Sequence, residues 1–286
     1  MKGKFLIKLS AVLCTASILS GTVSISAFAQ TRDTEPNDSW TQAQYLGTLT
    51  GVNYASGTLD PYNEDETRKD KEDWYQISSS SGDFGYIRLT SSIKGADFDM
   101  EVYEGSGTGA PVYTSNKIGD DIIRIDEDSN SKYYIKVIAK SGAKADPYTS
   151  YTLTTGNRIG SRSVEKSFSP TSISCPGNNV YSGITSMDLS NDSSIPNSAM
   201  IRSITVEGQG VSTGNTFAEI KSSKLGWTKA RLISNSANFI GYKYSDQIKV
   251  KDKWELKYVS SALAKTKWSN LKASISYDYD KTEDWD

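Results

Sequence analysis

Lys132-Tyr133-Tyr134-Ile135-Lys136-Val137-Ile138 reads as a β-strand, with Tyr133, Ile135 and Val137 on one face. Successive side chains of an extended chain point to opposite sides, so an apolar residue at every second position marks a half-buried strand. The same alternation recurs on both sides of this stretch: Tyr75 and Ile77, Ile87 and Leu89, Met100 and Val102, Tyr151 and Leu153. Short connectors rich in Gly and Ser separate these runs, which is the pattern of a β-sandwich. Gly105-Ser106-Gly107-Thr108-Gly109 reads as a hairpin turn. It lacks the Gly-Lys-Ser/Thr ending and the following helix that a phosphate loop requires.

Towards the C-terminus, residues 200–207, 230–234, 248–250, 254–259 and 273–279 read as strands, and 222–227 and 260–270 as loops. The expected fold is all-β: two β-sandwich, jelly-roll-like domains at 30–157 and 173–286. Residues 158–172 contain Gly, Ser, charges and Pro170, the composition of a flexible linker. Acids outnumber bases 21 to 13 over residues 30–160, whereas bases lead 16 to 13 over 161–286; this asymmetry also favours two domains.

Residues 1–29 read as a secretory signal peptide. Lys2, Lys4 and Lys8 precede an apolar core, and Ala27-Phe28-Ala29 forms a cleavage site. Loss of those three lysines takes the formal charge of −2 to −5. No later stretch approaches the roughly 20 apolar residues of a spanning helix, so the expectation is a secreted, extracellular protein. An acidic first half is a poor match for nucleic acid. Cys175 is the one cysteine beyond the signal peptide, which leaves no intrachain disulfide; it reads as a small core hydrophobe, with a reactive or dimer-forming thiol as the alternative. The chain has no histidine. That excludes Ser-His-Asp and Cys-His catalysis, His-ligated zinc and His-based pH switching.

Two acidic clusters border expected strands: Asp33, Glu35, Asn37 and Asp38 in the first, Asp70 and Asp73 in the second. Ca²⁺ takes six to eight oxygen ligands in an irregular cage, and six oxygen-bearing side chains at two strand edges could supply one. Solvated loop acids are the alternative. A third cluster, residues 126–130, is not an EF-hand, because Ser131 and Val137 stand where Gly and Glu would be needed; it reads as a loop, with a further ion site as the alternative. Asp97 and Asp99 share a strand face and read as structural, not as a catalytic pair.

Glu35-Pro36-Asn37-Asp38-Ser39, Gly57-Thr58-Leu59, Asp70 to Tyr75, Asp97 to Tyr103, Lys132 to Val137 and Tyr148 to Leu153 follow one another in an order that resembles the bacterial pre-peptidase C-terminal domain. That family includes the collagen-binding domains of clostridial collagenases. The resemblance covers about residues 31–157. It implies a secreted β-sandwich in which acids before and within the Glu-Pro-Asn-Asp motif join the later Asp-x-x-Asp pair around Ca²⁺. The run 60–71 departs from the family by being longer and more charged. Collagen-binding members use a tyrosine surface, to which Tyr113, Tyr133 and Tyr134 could contribute, but no further tyrosine follows along that strand. Strong collagen binding is therefore not expected.

The second half holds Trp227, Trp254, Trp268 and Trp285 among several tyrosines. Aromatics beside Lys and Asn can form a ligand platform, and Trp227 and Trp268 are the expected exposed ones, against a core role for the rest. The expectation is thus a secreted, calcium-binding, non-catalytic protein that binds an extracellular polymer or protein. The alternatives are a carboxylate-based hydrolase using an acid such as Glu207 or Glu255, and a self-associating structural protein. The acidic run 277–286 reads as a solvated terminus.

Overall fold

The computed structural model describes residues 31–60, 70–92, 95–127, 129–141, 150–211 and 215–285. The expected signal peptide, most of the charged run 60–71 and Asp128 lie outside the described residues. Those described are all-β, with short 3₁₀ turns and no α-helix.

In the first half the chain builds two five-stranded sheets. One runs in the order β1 (Thr31–Arg32), β3 (Asn53–Gly57), β10 (Tyr151–Asn157), β5 (Phe84–Ser91), β8 (Asp121–Asp126). The other runs β2 (Gln44–Thr48), β4 (Glu72–Ser79), β9 (Ser131–Ser141), β6 (Asp97–Glu104), β7 (Tyr113–Ser115). The alternating residues that mark these strands in the sequence are the ones that go inside. Ile77, Ile87, Leu89, Met100, Val102, Ile135, Val137 and Leu153 form one core between the sheets. Burying a side chain of this size is worth about 1.5–3 kcal/mol.

The second half forms one nine-stranded sheet. Its path is β11 (Ile159–Ser167), β19 (Thr266–Asp280), β14 (Met200–Gln209), β17 (Ser236–Ile240), β16 (Thr228–Ile233), β15 (Thr216–Lys221), β18 (Lys253–Ser260), β13 (Thr185–Asp188), with β12 (Ser172–Cys175) paired to β19. β18 and β19 are far apart along this path, yet Tyr258 and Trp268 meet edge to face at 5.8 Å and the Tyr258 hydroxyl donates to the Thr266 carbonyl. The sheet therefore folds over on itself in a sandwich-like arrangement around a second core, which includes Cys175, Ile204, Trp254, Leu256 and Ile275.

The expected linker 158–172 is not a flexible connection. Residues Ile159–Ser167 pair antiparallel with β19 from Ile159 opposite Asp280 to Ser167 opposite Lys272. This is an edge strand with mostly exposed side chains, so its composition resembles that of a loop while β19 satisfies its backbone. Arg158 alone separates β10 from β11. It is buried and ion-paired to Asp126 at 2.7 Å and Asp280 at 3.1 Å, one acid from each half. The expected solvated terminus is also anchored: Arg124 donates to the hydroxyl and carbonyl of buried Thr282, and Trp285 packs edge-on against Tyr86.

Candidate metal centre

The first acidic cluster is held by backbone pairing on both sides. β1 lies parallel to β3, and Asp33 N continues that ladder by donating to Ser56 O at 3.0 Å. The loop then turns back to β4, where Trp74 N donates to Asn37 O at 3.0 Å. Asp73, next to Trp74 in β4, is fully buried, as is Asn37. Carboxylate oxygens of Asp33, Glu35 and Asp73 lie within 4.8 Å of one another.

Two tyrosines support the cluster from opposite sheets. Tyr75 of β4 donates to Asp33 Oδ1 at 3.0 Å, Tyr151 of β10 donates to Asp73 Oδ2, and the two hydroxyl oxygens are 2.5 Å apart. The backbone at Gly57 lies so close to the Tyr151 ring that a Cβ there would collide with it. The chain Asp33–Tyr75–Tyr151–Asp73 contains three oxygen–oxygen links but only two hydroxyl protons. A carboxyl proton or a cation must supply what is missing.

The remaining oxygens point the same way. Asn37 is oriented by its own Nδ2, which donates to Asp33 Oδ1 at 2.6 Å, and this leaves its Oδ1 buried without a donor. Asp73 Oδ1 and Asp70 Oδ1 are also buried and unpaired. Unsatisfied buried acceptors are rare in folded proteins, because each one forfeits its hydration. Burial, followed by the charge of Asp33, drives the Asp73 carboxyl far above its ordinary range, although the Tyr151 bond opposes this. Burial and then the charges of Glu35, Asp38 and Asp33 push Asp70 up to about 7. Burial also raises Asp33 and Glu35. The donor set is all oxygen, which suits a hard cation of the Ca²⁺ class and not a thiolate- or imidazole-seeking metal.

Of the six residues expected here, Asp33, Glu35 and Asp73 converge, and Asn37 is bonded to them. Asp70 and Asp38 lie outside that close group and act on it through charge. Asp38 is exposed.

The expected aromatic surfaces need correction. Trp268 is fully buried in the second core and Tyr133 is 4% exposed, so neither can contact a ligand at the surface. Tyr134 follows Tyr133 in the same strand and therefore faces away from it, against Trp40. Tyr113 is half-buried on the first core. Trp227 is indeed exposed. Its ring and that of exposed Tyr181 each lie against Lys257 Nζ, at 4.2 Å and 4.3 Å. Glu219 fixes this group, accepting the Tyr181 hydroxyl at 2.5 Å and lying 3.2 Å from Lys257 Nζ. Sequence reasoning missed Tyr181, Lys257 and Glu219; the alternation in Phe217-Ala218-Glu219-Ile220-Lys221 was the available signal. The third acidic cluster is engaged internally: Asp126 pairs with Arg158, and Glu127 accepts bonds from Tyr133, Ser79 and Ser129.

No protein-family model matches the chain. YbdN, an uncharacterized protein of Bacillus subtilis (strain 168), is 28% identical over 298 residues, covering 99% of each chain. Among solved structures, a Eubacterium rectale protein presumed to be secreted overlaps 86% of this chain and 84% of its own, with a TM-score of 0.34 and 10% identity. BuGH86 in complex with neoagarooctaose overlaps 74% of this chain and 33% of its own, with a TM-score of 0.28 and 11% identity. The major capsid protein P2 of bacteriophage PM2 overlaps 82% of this chain and 99% of its own, at 0.24 and 10%. Overlaps this loose carry no argument about fold or function. Among the described residues, no helix is long and apolar enough to cross a membrane.

Proposed function

We propose that residues 31–157 form a calcium-binding sandwich of the pre-peptidase C-terminal type within an exported, non-catalytic protein that binds an extracellular polymer or protein. Asp33, Glu35, Asp73 and the Asn37 side-chain oxygen would hold the ion, with Asp38 and Asp70 adding negative charge. The observation that carries the metal reading is the meeting of three carboxylates beside the buried, donorless oxygens of Asn37 and Asp73. A bound Ca²⁺ would supply the positive charge this cluster lacks. It would also tie the N-terminal strand and loop to β4. Extracellular calcium would then favour the folded form after export.

The ligand-binding part of the proposal rests on Trp227, Tyr181 and Lys257. Exposed aromatic rings fixed by a buried acid offer a flat, pre-organised surface with polar groups at hand. Melting temperature, measured on calcium-free protein and again with millimolar Ca²⁺, tests the metal. A ligand at 100 times its Kd adds about 2.7 kcal/mol, a shift of several degrees. A wild-type protein indifferent to calcium would overturn that half of the proposal. Retention on insoluble polysaccharides and matrix proteins, compared between wild type and W227A/Y181A, tests the other half.

A further inference from the structure

The outer face of the first sheet carries a trough whose shape follows from side-chain size. On β10 the outward residues Thr152, Thr154 and Gly156 are all small, whereas the strands on either side carry large ones. Thr154 stands between Tyr54 of β3 and Arg88 of β5, and Gly156 stands opposite Tyr86 of β5. Ala55, Ile87, Leu89 and Leu153 of the same strands belong to the first core, so by alternation this set faces outward. Trp285, from the C-terminal tail, adds a further wall. Its indole meets Tyr86 edge to face at 5.0 Å, and the Arg88 guanidinium lies over it at 4.9 Å. Together these residues line a cleft of about 440 Å³.

The walls are held in place. Tyr86 lies across Gly156, where a Cβ would come within 2.9 Å of the phenol. The Tyr54 hydroxyl is 3.3 Å from Thr152 Oγ1, and Arg88 Nη2 donates to Asp120 at 2.6 Å. Arg124 anchors the tail at Thr282, three residues before Trp285. Walls fixed in advance lower the ordering cost of binding. Tyr54, Tyr86 and Trp285 are half-buried and give the cleft apolar surface, while hydroxyls and the guanidinium offer donors and acceptors beside it. Asp120 offsets the charge of Arg88, so the cleft does not select an ionic ligand. A sugar ring matches these walls: its C–H face packs on aromatic surface, and its hydroxyls both donate and accept. The volume falls within the ~300–1,000 Å³ of small-ligand sites, which favour junctions between domains.

We propose that the trough between Tyr54, Tyr86 and Trp285 binds an uncharged oligosaccharide, at a site distinct from both the acidic centre and the Trp227 face. Because Trp285 belongs to the second half, a sugar bound there would also clamp the tail onto the first sandwich.

The test is calorimetric titration of the full chain with cellohexaose, xylohexaose and chitin hexaose, made in the W227A/Y181A background so that the other aromatic face does not contribute. At least one of these is expected to bind saturably, and adding T154Y or W285A is expected to weaken that binding at least tenfold. T154Y fills the trough from an outward position on β10, where a tyrosine suits a strand. Binding that T154Y leaves unchanged overturns the site. If circular dichroism shows the T154Y protein unfolded, the loss in W285A decides. No binding of any of the three sugars by W227A/Y181A also overturns the site; if wild type then binds one, the sugar belongs to the Trp227 face and the proposed function stands. Saturable binding of decaproline that T154Y abolishes, with no oligosaccharide bound, overturns the ligand class.

Discussion

Both halves of the molecule bury carboxylates that meet donors, Glu127 in the first among them, but among the described residues only the first half also leaves buried carboxylate oxygens without any. In the second half buried Glu219 and half-buried Glu283 both meet donors. Glu219 accepts from Tyr181 and lies beside Lys257, and Glu283 accepts both the backbone N and the hydroxyl of Ser198. Burial alone would raise both groups, yet these bonds hold them below the ordinary glutamate range. In the first half buried Asp73 and half-buried Asp70 sit among other acids, each keeps a buried oxygen with no donor, and both are pushed upward. Burial by itself therefore does not mark a metal centre. The informative sign is a shortage of donors, since folding alone gains nothing from burying charges it cannot pair.

The comparison can be broken most forcefully from the second half. Trp268 is fully buried, with the Gly208 backbone pressed so tightly on its indole that a Cβ could not fit. Trp268→Ala should cost about 3–5 kcal/mol from lost burial and the cavity left behind. That loss, read by urea denaturation, should be the same with and without calcium, because among the described residues no group of close acids lies in the second half. A loss that calcium reverses would show that the halves are not distinct in this respect. In the first half, saturating calcium should stabilise the protein by about 2.7 kcal/mol at 100 times Kd. D33N/D73N should abolish that gain. Equal calcium shifts in wild type and variant would remove the cluster from the account.

How much of this is legible in the sequence follows the same division. β4, β5, β6, β9 and β10 appear in the alternation of their apolar residues because both sheets of the first half bury one face cleanly. β11 reads as a linker in the sequence because an edge strand can be built of Ser, Arg, Lys and Glu when its neighbour satisfies its backbone. Residues 266–270 read as a loop for a different reason. Asn270 has a positive φ of 55°, and the β14–β19 register shifts between Glu207 and Gln209. This bulge puts buried Trp268 and Leu271 three residues apart and breaks the period of two. At the candidate centre, the acids were visible as motifs. The Tyr75–Tyr151 link was not, since it joins residues of different sheets. The Trp227–Lys257–Tyr181 group was missed because its members come from separate strands and turns.

A smaller effect concerns pH. An acid whose folded pKa is raised stabilises the fold below its unfolded value, and that contribution is lost as pH rises through the folded value. For Asp70 this window runs from 3.8 to about 7, and Asp73 extends it upward. Asp192, held down to about 2 chiefly by the Lys166 bond, has the opposite sign, as do Glu127, Glu219 and Glu283. Those groups lose stability only as pH falls below about 4.5, so they are silent between pH 5 and 8. Calcium-free protein should therefore melt lower at pH 8 than at pH 5. Millimolar calcium should flatten or reverse that slope. A calcium-free melting temperature that rises across this range would mean that the cluster is not the dominant titrating group.

The smallest expected effect on stability separates a binding surface from a structural one. Trp227 is 36% exposed, and its contact with Lys257 lies at the surface, where a cation–π pair contributes about 0.5–1 kcal/mol. Trp227→Ala should thus shift denaturation by no more than that, with no dependence on calcium. If the face holds a ligand, the same substitution should reduce retention on that ligand at least tenfold, because an exposed, pre-organised ring contributes far more to an interface than to the free fold. Tyr181→Phe separates the two roles further. It keeps the ring but removes the hydroxyl that Glu219 accepts, so it should weaken binding only through looser positioning of Lys257. A Trp227→Ala protein that loses several kcal/mol of stability would assign the indole to packing and move the search for a ligand surface elsewhere.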